Sequence, residues 1–223
     1  GGERRRGPGG TQPLRAALTA GAQSLGLNLS EWQIGQLLDF LALLQKWNRV
    51  YNLTAVREPG DMLTHHLLDS LAAVPALQRQ LAVQAQAGQG ASTLLDVGSG
   101  AGLPGIVIAI CCPAITVHCV DTVGKKAAFI QQVAASLKLP NLRGIHARVE
   151  SLTEPYDVIS SRAFASLVDF TSWSVGALAQ QGVWMALKGK HPEQEISALP
   201  SAVEVFHVEP LRVPGLDAER CIV

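Results

Sequence analysis

The sequence has no long apolar run, since the longest, Ile106–Cys112, covers only seven of the 223 residues. A helix that crosses a bilayer needs about 20 consecutive apolar residues, so the sequence predicts no transmembrane segment. The opening Gly1–Gly10 mixes charge, glycine and proline without an apolar stretch, which is unlike a secretory signal peptide. We therefore expect residues 1–13 to form a disordered leader and expect no association with a membrane.

Cysteine and charge of one sign are also scarce. The four cysteines, Cys111, Cys112, Cys119 and Cys221, form no C-x-x-C pair and are too few for a disulfide framework. We interpret them as buried reduced thiols of a cytoplasmic protein and expect no metal site. Lys and Arg together number 18, as do Asp and Glu, so no global charge indicates a nucleic-acid binder. Any contact with nucleic acid must use a local basic patch.

The amino-terminal part of the chain has helical periodicity. Ser30 and Gln33 have the S-x-x-Q form of a capping box, which starts helices. Apolar residues then recur at steps of three and four as far as about Trp47, which indicates an amphipathic helix. A second helix is expected at Asp61–Leu71. We predict a helical amino-terminal extension over residues 14–83.

The carboxyl-terminal part alternates between strand and helix patterns. Residues 84–92 are rich in Gln, Ala, Gly and Ser, and we interpret them as a linker to a domain over residues 93–223. The expected strands are Thr93–Val97, Ile115–Asp121, Leu142–His146, Tyr156–Ser160, Gly182–Leu187, Ala202–Val208 and Arg220–Val223. The expected helices are Gly105–Cys111, Lys125–Leu137 and Leu167–Leu178. This alternation favours an α/β fold with a seven-stranded, mostly parallel sheet and an antiparallel pair at one edge.

A glycine-rich loop follows the first expected strand. Gly98, Gly100 and Gly102 stand at alternate positions between that strand and the next helix. Glycines let the backbone turn sharply and approach a ligand closely, and the start of a helix offers unpaired N–H donors. Three spaced glycines exceed what a tight turn needs, so we predict a ligand-binding loop at the carboxyl end of the sheet.

Two carboxylates help to identify the ligand. Gly100, Gly102 and Gly105 match the dinucleotide pattern G-x-G-x-x-G, so an NAD-dependent oxidoreductase is one hypothesis. Asp96, inside the preceding strand, would repel a pyrophosphate but would attract a sulfonium and an ammonium. Asp121 ends the next strand, where it can bind a ribose or cap the helix that follows. The pattern D-x-G-x-G-x-G with a strand-terminal acid resembles class I S-adenosylmethionine-dependent methyltransferases, which have a Rossmann-like fold.

The loop after the third strand contains Arg148, Val149 and Glu150. In this topology that loop reaches the adenine, where a backbone amide and Glu150 can bind the edge of the base. The alternative for Glu150 is an ordinary solvated acid on a loop.

Several stretches together resemble one family, the bacterial 16S ribosomal RNA guanine-N7 methyltransferases, also known as glucose-inhibited division protein B. The matching motifs are Lys46-Trp47-Asn48, Tyr51-Asn52-Leu53-Thr54, His66-Leu67-Leu68-Asp69-Ser70, Asp96 through Gly105, Asp121-Thr122-Val123-Gly124-Lys125-Lys126, Ser161-Arg162-Ala163-Phe164-Ala165 and Ala186-Leu187-Lys188-Gly189-Lys190. The resemblance implies methylation of guanine 527 of 16S rRNA at N7, with S-adenosylmethionine as cofactor. It also implies that Gly98, Leu103, Val149, Glu150 and Arg162 touch that cofactor.

The expected site therefore has three sets of residues. The cofactor set is Asp96, Gly98, Gly100, Gly102, Leu103, Asp121, Val149, Glu150 and Arg162. The catalytic candidates, which would hold the base or its phosphates, are Arg162, Asp69 and Asn52. Their structural alternatives are a salt-bridge partner, a helix side chain and a turn former, respectively. N7 carries an accessible lone pair, so no general base is expected.

The third set contains the basic residues for RNA. It comprises Lys46, Arg49, Lys125, Lys188 and Lys190, with Arg57 and Lys126 as further candidates. Trp47 and Tyr51 can stack on bases or can belong to the core. We expect a monomer that acts on 16S rRNA or on a small-subunit assembly intermediate. A non-catalytic RNA-binding protein is the remaining alternative.

Overall fold

The computed structural model of the protein describes residues 12–89, 92–162, 164–190 and 192–223. The helices are α1 (Gln12–Ser24), α2 (Glu31–Tyr51), α3 (Pro59–Met62), a π-helix (Leu63–Leu68), α4 (Asp69–Leu71), α5 (Val74–Gln86), α6 (Gly105–Cys111), α7 (Gly124–Ser136), α8 (Leu167–Ser174) and α9 (Glu193–Ser197). Short 3-10 turns cover Val149–Ser151 and Val175–Ala177. The strands are β1 (Thr93–Val97), β2 (Thr116–Asp121), β3 (Leu142–His146), β4 (Tyr156–Arg162), β5 (Leu178–Lys188), β6 (Glu209–Leu211) and β7 (Arg220–Ile222).

The strands form one seven-stranded sheet in the order β3-β2-β1-β4-β5-β7-β6. Strands β1 to β5 run parallel to one another, and β7 runs antiparallel to both β5 and β6. Strand β1 lies between β2 and β4, so the strand order changes direction between β1 and β4. Loops at the carboxyl ends of these strands can therefore hold a ligand between them. This arrangement confirms the expected class I methyltransferase fold.

The amino-terminal helices share their core with the sheet. The capping box of Ser30 and Gln33 is confirmed, and α2 continues about one turn beyond the predicted end. Phe40 of α2 is fully buried, with its ring centroid 6.3 Å from that of Phe129 on α7. Trp47 lies 5.5 Å from the same ring, which supports its interpretation as a core residue. One hydrophobic cluster thus joins the helical extension to the sheet domain.

The predicted linker and leader differ from the structure. Helix α5 continues to Gln86, because Gln84 is buried and its Nε2 donates to the backbone oxygen of Asp157 at 3.2 Å. Gly90 and Ala91 of the predicted linker lie outside the described residues, as do residues 1–11 of the predicted leader. Helix α1 begins at Gln12, inside the predicted leader.

The carboxyl-terminal elements also differ from those predicted. The helix predicted to reach Leu178 ends at Ser174, and β5 begins at Leu178. The predicted strand at Ala202–Val208 is wrong, since the strand is the three-residue β6 that follows it. The segment does alternate in exposure, but β7 forms its ladder only with β6 on that side. Within the described ranges, no helix is long and apolar enough to cross a membrane.

Candidate active site

The glycine loop between β1 and α6 has three residues in the left-handed region, with φ of 63° at Gly98, 58° at Gly100 and 88° at Gly102. A Cβ at Gly98 would lie 2.2 Å from the ring of Phe164, and one at Gly102 would lie 2.2 Å from Ile106 Cδ1. A Cβ at Gly100 would meet no protein atom within 4 Å. Of the three loop glycines, Gly100 is therefore the one with free space where a side chain would stand; we call this its open side.

Asp96 lies beneath this loop and has no exposed surface. Its Oδ2 accepts a hydrogen bond from the Gly105 amide at 2.9 Å, and its Oδ1 accepts one from Ser160 Oγ at 2.8 Å. Burial raises the pKa of Asp96 to about 6, against the opposing effect of these hydrogen bonds. Because Asp96 is fully buried and does not line the cavity that Asp121 lines, the structure favours a role in shaping the loop over the predicted direct contact with a cofactor.

Asp121, at the end of β2, connects two loops. Its Oδ2 accepts from the Gly100 amide at 3.0 Å, and its Oδ1 accepts from the Val123 amide at 2.8 Å. The N-cap residue of α7 is Val123, with no side-chain cap, so the interpretation of Asp121 as that cap is wrong. The carboxylate instead holds the glycine loop beside the end of β2.

A first cavity of about 390 Å³ opens at this edge of the sheet. It brings together Gly98, Asp121, Val149 and Glu150 of the predicted cofactor set. The remaining lining residues are Val97, Val120, Thr122, Val123, Lys126, Ala147, Arg148, Phe164 and Trp173. Gly102 and Leu103 are buried within the loop and do not line this cavity.

Phe164 and Trp173 form an aromatic side of the first cavity that sequence reasoning missed. Their rings meet edge to face, with centroids 5.9 Å apart and an angle of 77° between the planes. Phe164 belongs to the motif Ser161-Arg162-Ala163-Phe164-Ala165. Trp173 had no signal in the sequence, because only the packing of α8 brings this residue to the edge of the sheet.

A second cavity of about 440 Å³ lies on the other side of the carboxyl end of β4. It is lined by His65, Asp69, Arg162, Leu187, Lys188, Gly189, Leu211, Arg220 and Cys221. Asp69 lies between two arginines, with Oδ2 3.0 Å from Arg162 Nη1 and Oδ1 3.2 Å from Arg220 Nε. Arg162 thus lines this second cavity rather than the first.

The π-helix positions Arg162 through two consecutive histidines. The backbone oxygen of His65 accepts from Arg162 Nη1 at 2.8 Å, and His66 Nδ1 lies 3.3 Å from Nη2. A guanidinium only donates, so Nδ1 accepts and the protonated Nε2 donates to Thr54 Oγ1 at 2.8 Å. Burial, and then the charge of Arg162, lower the pKa of His66 to about 4, so this ring is neutral. His66 had no predicted role.

Comparison with known proteins identifies the family. A family model described as GidB, rRNA small subunit methyltransferase G, matches residues 33–223. The chain belongs to this family. It is 68% identical over 215 residues to the ribosomal RNA small subunit methyltransferase G of Paracidovorax citrulli (strain AAC00-1), covering 94% of this chain and 88% of that protein. The relative of the same name from Acidovorax ebreus (strain TPSY) is 68% identical over 212 residues, covering 94% of each chain.

Among solved structures, TrmN from Thermus thermophilus is 18% identical and has a TM-score of 0.49. The match covers 72% of this chain and 52% of that one.

Asn52 lies apart from the other two catalytic candidates of this GidB protein. It ends α2 in the left-handed conformation, with φ of 49°, and its Oδ1 accepts from Arg57 Nη2 at 2.9 Å. It is exposed and lines neither cavity. The structure therefore supports the turn-former interpretation for Asn52. Arg162 and Asp69 are brought into direct contact, as an ion pair.

The predicted RNA-binding residues have different surroundings. Lys46 and Arg49 are exposed on α2, and Lys125 is exposed with Nζ 5.3 Å from the ring centroid of Tyr51. This contact places the end of α2 beside the start of α7, at the carboxyl edge of the sheet. Lys190 is exposed next to the second cavity.

Lys188 does not fit its predicted role. Its Nζ donates to the backbone oxygen of Ala165 at 2.7 Å and pairs with Glu195 Oε1 at 3.1 Å, and its side chain is only 14% exposed. The same Glu195 oxygen accepts from the Leu167 amide at the start of α8. Lys188 therefore ties the segment after β4 to α9, and its charge at the second cavity is already paired.

Proposed function

We propose that this chain methylates N7 of a guanine in 16S rRNA, guanine 527 in ribosomal numbering. As a GidB family member, the protein is an S-adenosyl-L-methionine-dependent rRNA methyltransferase. The observation that carries the finer proposal is the pair of cavities on either side of the carboxyl end of β4. One is lined by four of the nine predicted cofactor residues, and the lining of the other includes three cationic side chains.

The first cavity fits S-adenosylmethionine. The open side of Gly100 leaves room for the methionine part beside the loop, and Asp121 lies where the ribose hydroxyls would meet it. Each Asp121 oxygen accepts one backbone hydrogen bond and keeps a second lone pair for a hydroxyl. The Val149 amide and Glu150 would face the adenine. When bound, the cofactor supplies an electrophilic methyl group.

The protein's own contribution to catalysis is alignment. The lone pair of guanine N7 attacks without prior loss of a proton, so the site needs no general base. Holding N7 in line with the transferred methyl group and its leaving sulfur lowers the barrier by proximity and orientation. The methylated base gains a positive charge, but the Asp69 carboxylate is already paired with Arg162 and Arg220, so we assign it no role in stabilising that charge.

The two competing hypotheses lose their support. The hypothesis of an NAD-dependent oxidoreductase rested on the match to G-x-G-x-x-G, and membership of the GidB family argues against it. The hypothesis of a non-catalytic RNA-binding protein disagrees with the 68% identity between this chain and relatives named as methyltransferases.

The test is to map the methylated atom. The protein is incubated with labelled S-adenosylmethionine and with 16S rRNA or 30S subunits from cells lacking this modification. We expect one methyl group per RNA, and strand cleavage specific for 7-methylguanine at position 527. Label at another nucleotide or at another atom of the base would contradict the proposal.

A further inference from the structure

We propose that the second cavity binds a phosphate group of the RNA strand that carries the target guanine. In this proposal Arg220 and Arg162 bind the phosphate, and Asp69 sets the position of both guanidinium groups. The inference rests on the proposed function, because it assigns the RNA backbone to the cavity beside the cofactor site.

The charge of the cavity favours an anion. Its cations are Arg162, Lys188 and Arg220, and the carboxylates that pair with them are those of Asp69 and Glu195. One positive charge is therefore left over. Leu187 and Leu211 line the same space and exclude part of the water, which strengthens attraction to an anion.

The two arginines are held in place before any ligand binds. Arg162 donates through Nη1 to the His65 oxygen and to Asp69, and through Nη2 to neutral His66. Arg220 donates through Nε to Asp69 and through Nη1 to the Glu219 oxygen. Its Nη2 has no hydrogen-bond partner among the residues that the structure describes, and its side chain is 28% exposed. Fixed guanidinium forks match the oxygens of a phosphate and lose little entropy on binding it.

The position of the cavity indicates which phosphate it would take. Arg162 ends β4 and lines the second cavity, whereas Phe164, two residues later, lines the first. Two residues of chain span at most roughly 7 Å in any conformation. A nucleotide whose base enters beside the first cavity would therefore place a backbone phosphate near Arg162 and Arg220.

The experiment compares GMP with guanosine as probes, titrated into the full chain in the presence of S-adenosylhomocysteine. We expect the parent protein to bind GMP more tightly than guanosine. Arg220→Gln should weaken GMP binding about tenfold, leave guanosine binding unchanged and leave S-adenosylhomocysteine affinity unchanged. It should also lower the salt dependence of 16S rRNA binding by about one counterion.

Two further variants serve as controls. Arg79→Gln removes an exposed arginine that pairs with Glu209, outside both cavities, and should change none of these affinities. Arg220→Lys keeps the charge but not the fork, so it should restore the salt dependence and only part of the GMP affinity. Melting curves identify any variant that fails to fold, in which case Arg220→Lys alone decides.

Equal weakening of GMP and guanosine by Arg220→Gln would overturn the phosphate site, as would an unchanged salt dependence. Failure of the proposed function would give a different result from failure of the phosphate site. If GMP binding depends on Arg220 but no methyl group reaches guanine N7, the phosphate site stands and the proposed reaction is wrong.

Discussion

Asp96 shows how burial and hydrogen bonding compete at a single residue. Folding raises its pKa from 3.8 to about 6, so the folded state favours the protonated carboxyl. Its contribution to stability is full below pH 3.8 and is lost as the pH rises through about 6. Near neutral pH the ionised, buried form therefore costs free energy of folding.

Asp96→Asn removes this cost while keeping an oxygen that can accept from the Gly105 amide. We expect the free energy of unfolding at about pH 7.5 to rise by about 1–3 kcal/mol, and the gain to disappear at about pH 4. Urea unfolding of the variant and the parent at both pH values checks this. The lowered pKa of His66 also makes the protein less stable as the pH falls, so the variant and the parent must be compared at the same pH. A variant less stable than the parent at neutral pH would contradict the expectation.

At the scale of elements, the glycine loop separates ligand binding from folding. The Cβ of a valine at Gly100 would meet no protein atom within 4 Å, but the residue must adopt a φ of 58°, at a cost of about 1–2 kcal/mol. We expect Gly100→Val to unfold cooperatively and to bind S-adenosylhomocysteine at least tenfold more weakly. Gly102→Val is the matched control, since its side chain would collide with Ile106 and should prevent stable folding. Calorimetric titration and thermal melts measure both effects. Undiminished affinity in Gly100→Val would mean that the cofactor lies elsewhere.

Lys188 acts between elements, because it joins the end of β5 to α9 and to the segment before α8. Lys188→Met should lower the free energy of unfolding by about 1–2 kcal/mol, since the Ala165 oxygen and Glu195 both lose the Lys188 ammonium. It should leave the salt dependence of RNA binding unchanged. Lys190→Ala, at an exposed lysine two residues away, should lower that salt dependence by about one counterion. Filter binding over a salt series tests the pair, and the opposite pattern would restore Lys188 as an RNA contact.

At the scale of the whole molecule, the helical extension and the sheet share one core. Phe40 of α2 packs on Phe129 of α7 and has no exposed surface. We expect Phe40→Ala to cost about 3–5 kcal/mol and to shift a single unfolding transition measured by both circular dichroism and tryptophan fluorescence. Two separate transitions would show that the extension folds by itself.

Much of this fold could be predicted from short stretches of sequence. The capping box of α2, the glycine loop and the places of Gly98, Asp121 and Val149 at or shortly after strand ends all depend on neighbours within a few residues. The carboxyl ends of adjacent parallel strands meet at one edge, so these three positions share the first cavity without further information. By contrast, Ala202–Val208 has the alternation of a strand but forms no ladder with a neighbouring strand, which only the sheet could decide.

By itself, the sequence determined the fold class, the family and the composition of the cofactor loop, because these depend on local patterns and motifs. Only the tertiary structure decided the second cavity. Asp69 and Arg220 are 151 residues apart, and no spacing rule connects them. The same holds for Lys188, whose partner Glu195 is set by the docking of α9, and for Asn52, which pairs with Arg57 and lines neither cavity. Ion pairs of this kind form where packing brings charges together, so their partners cannot be inferred from sequence separation.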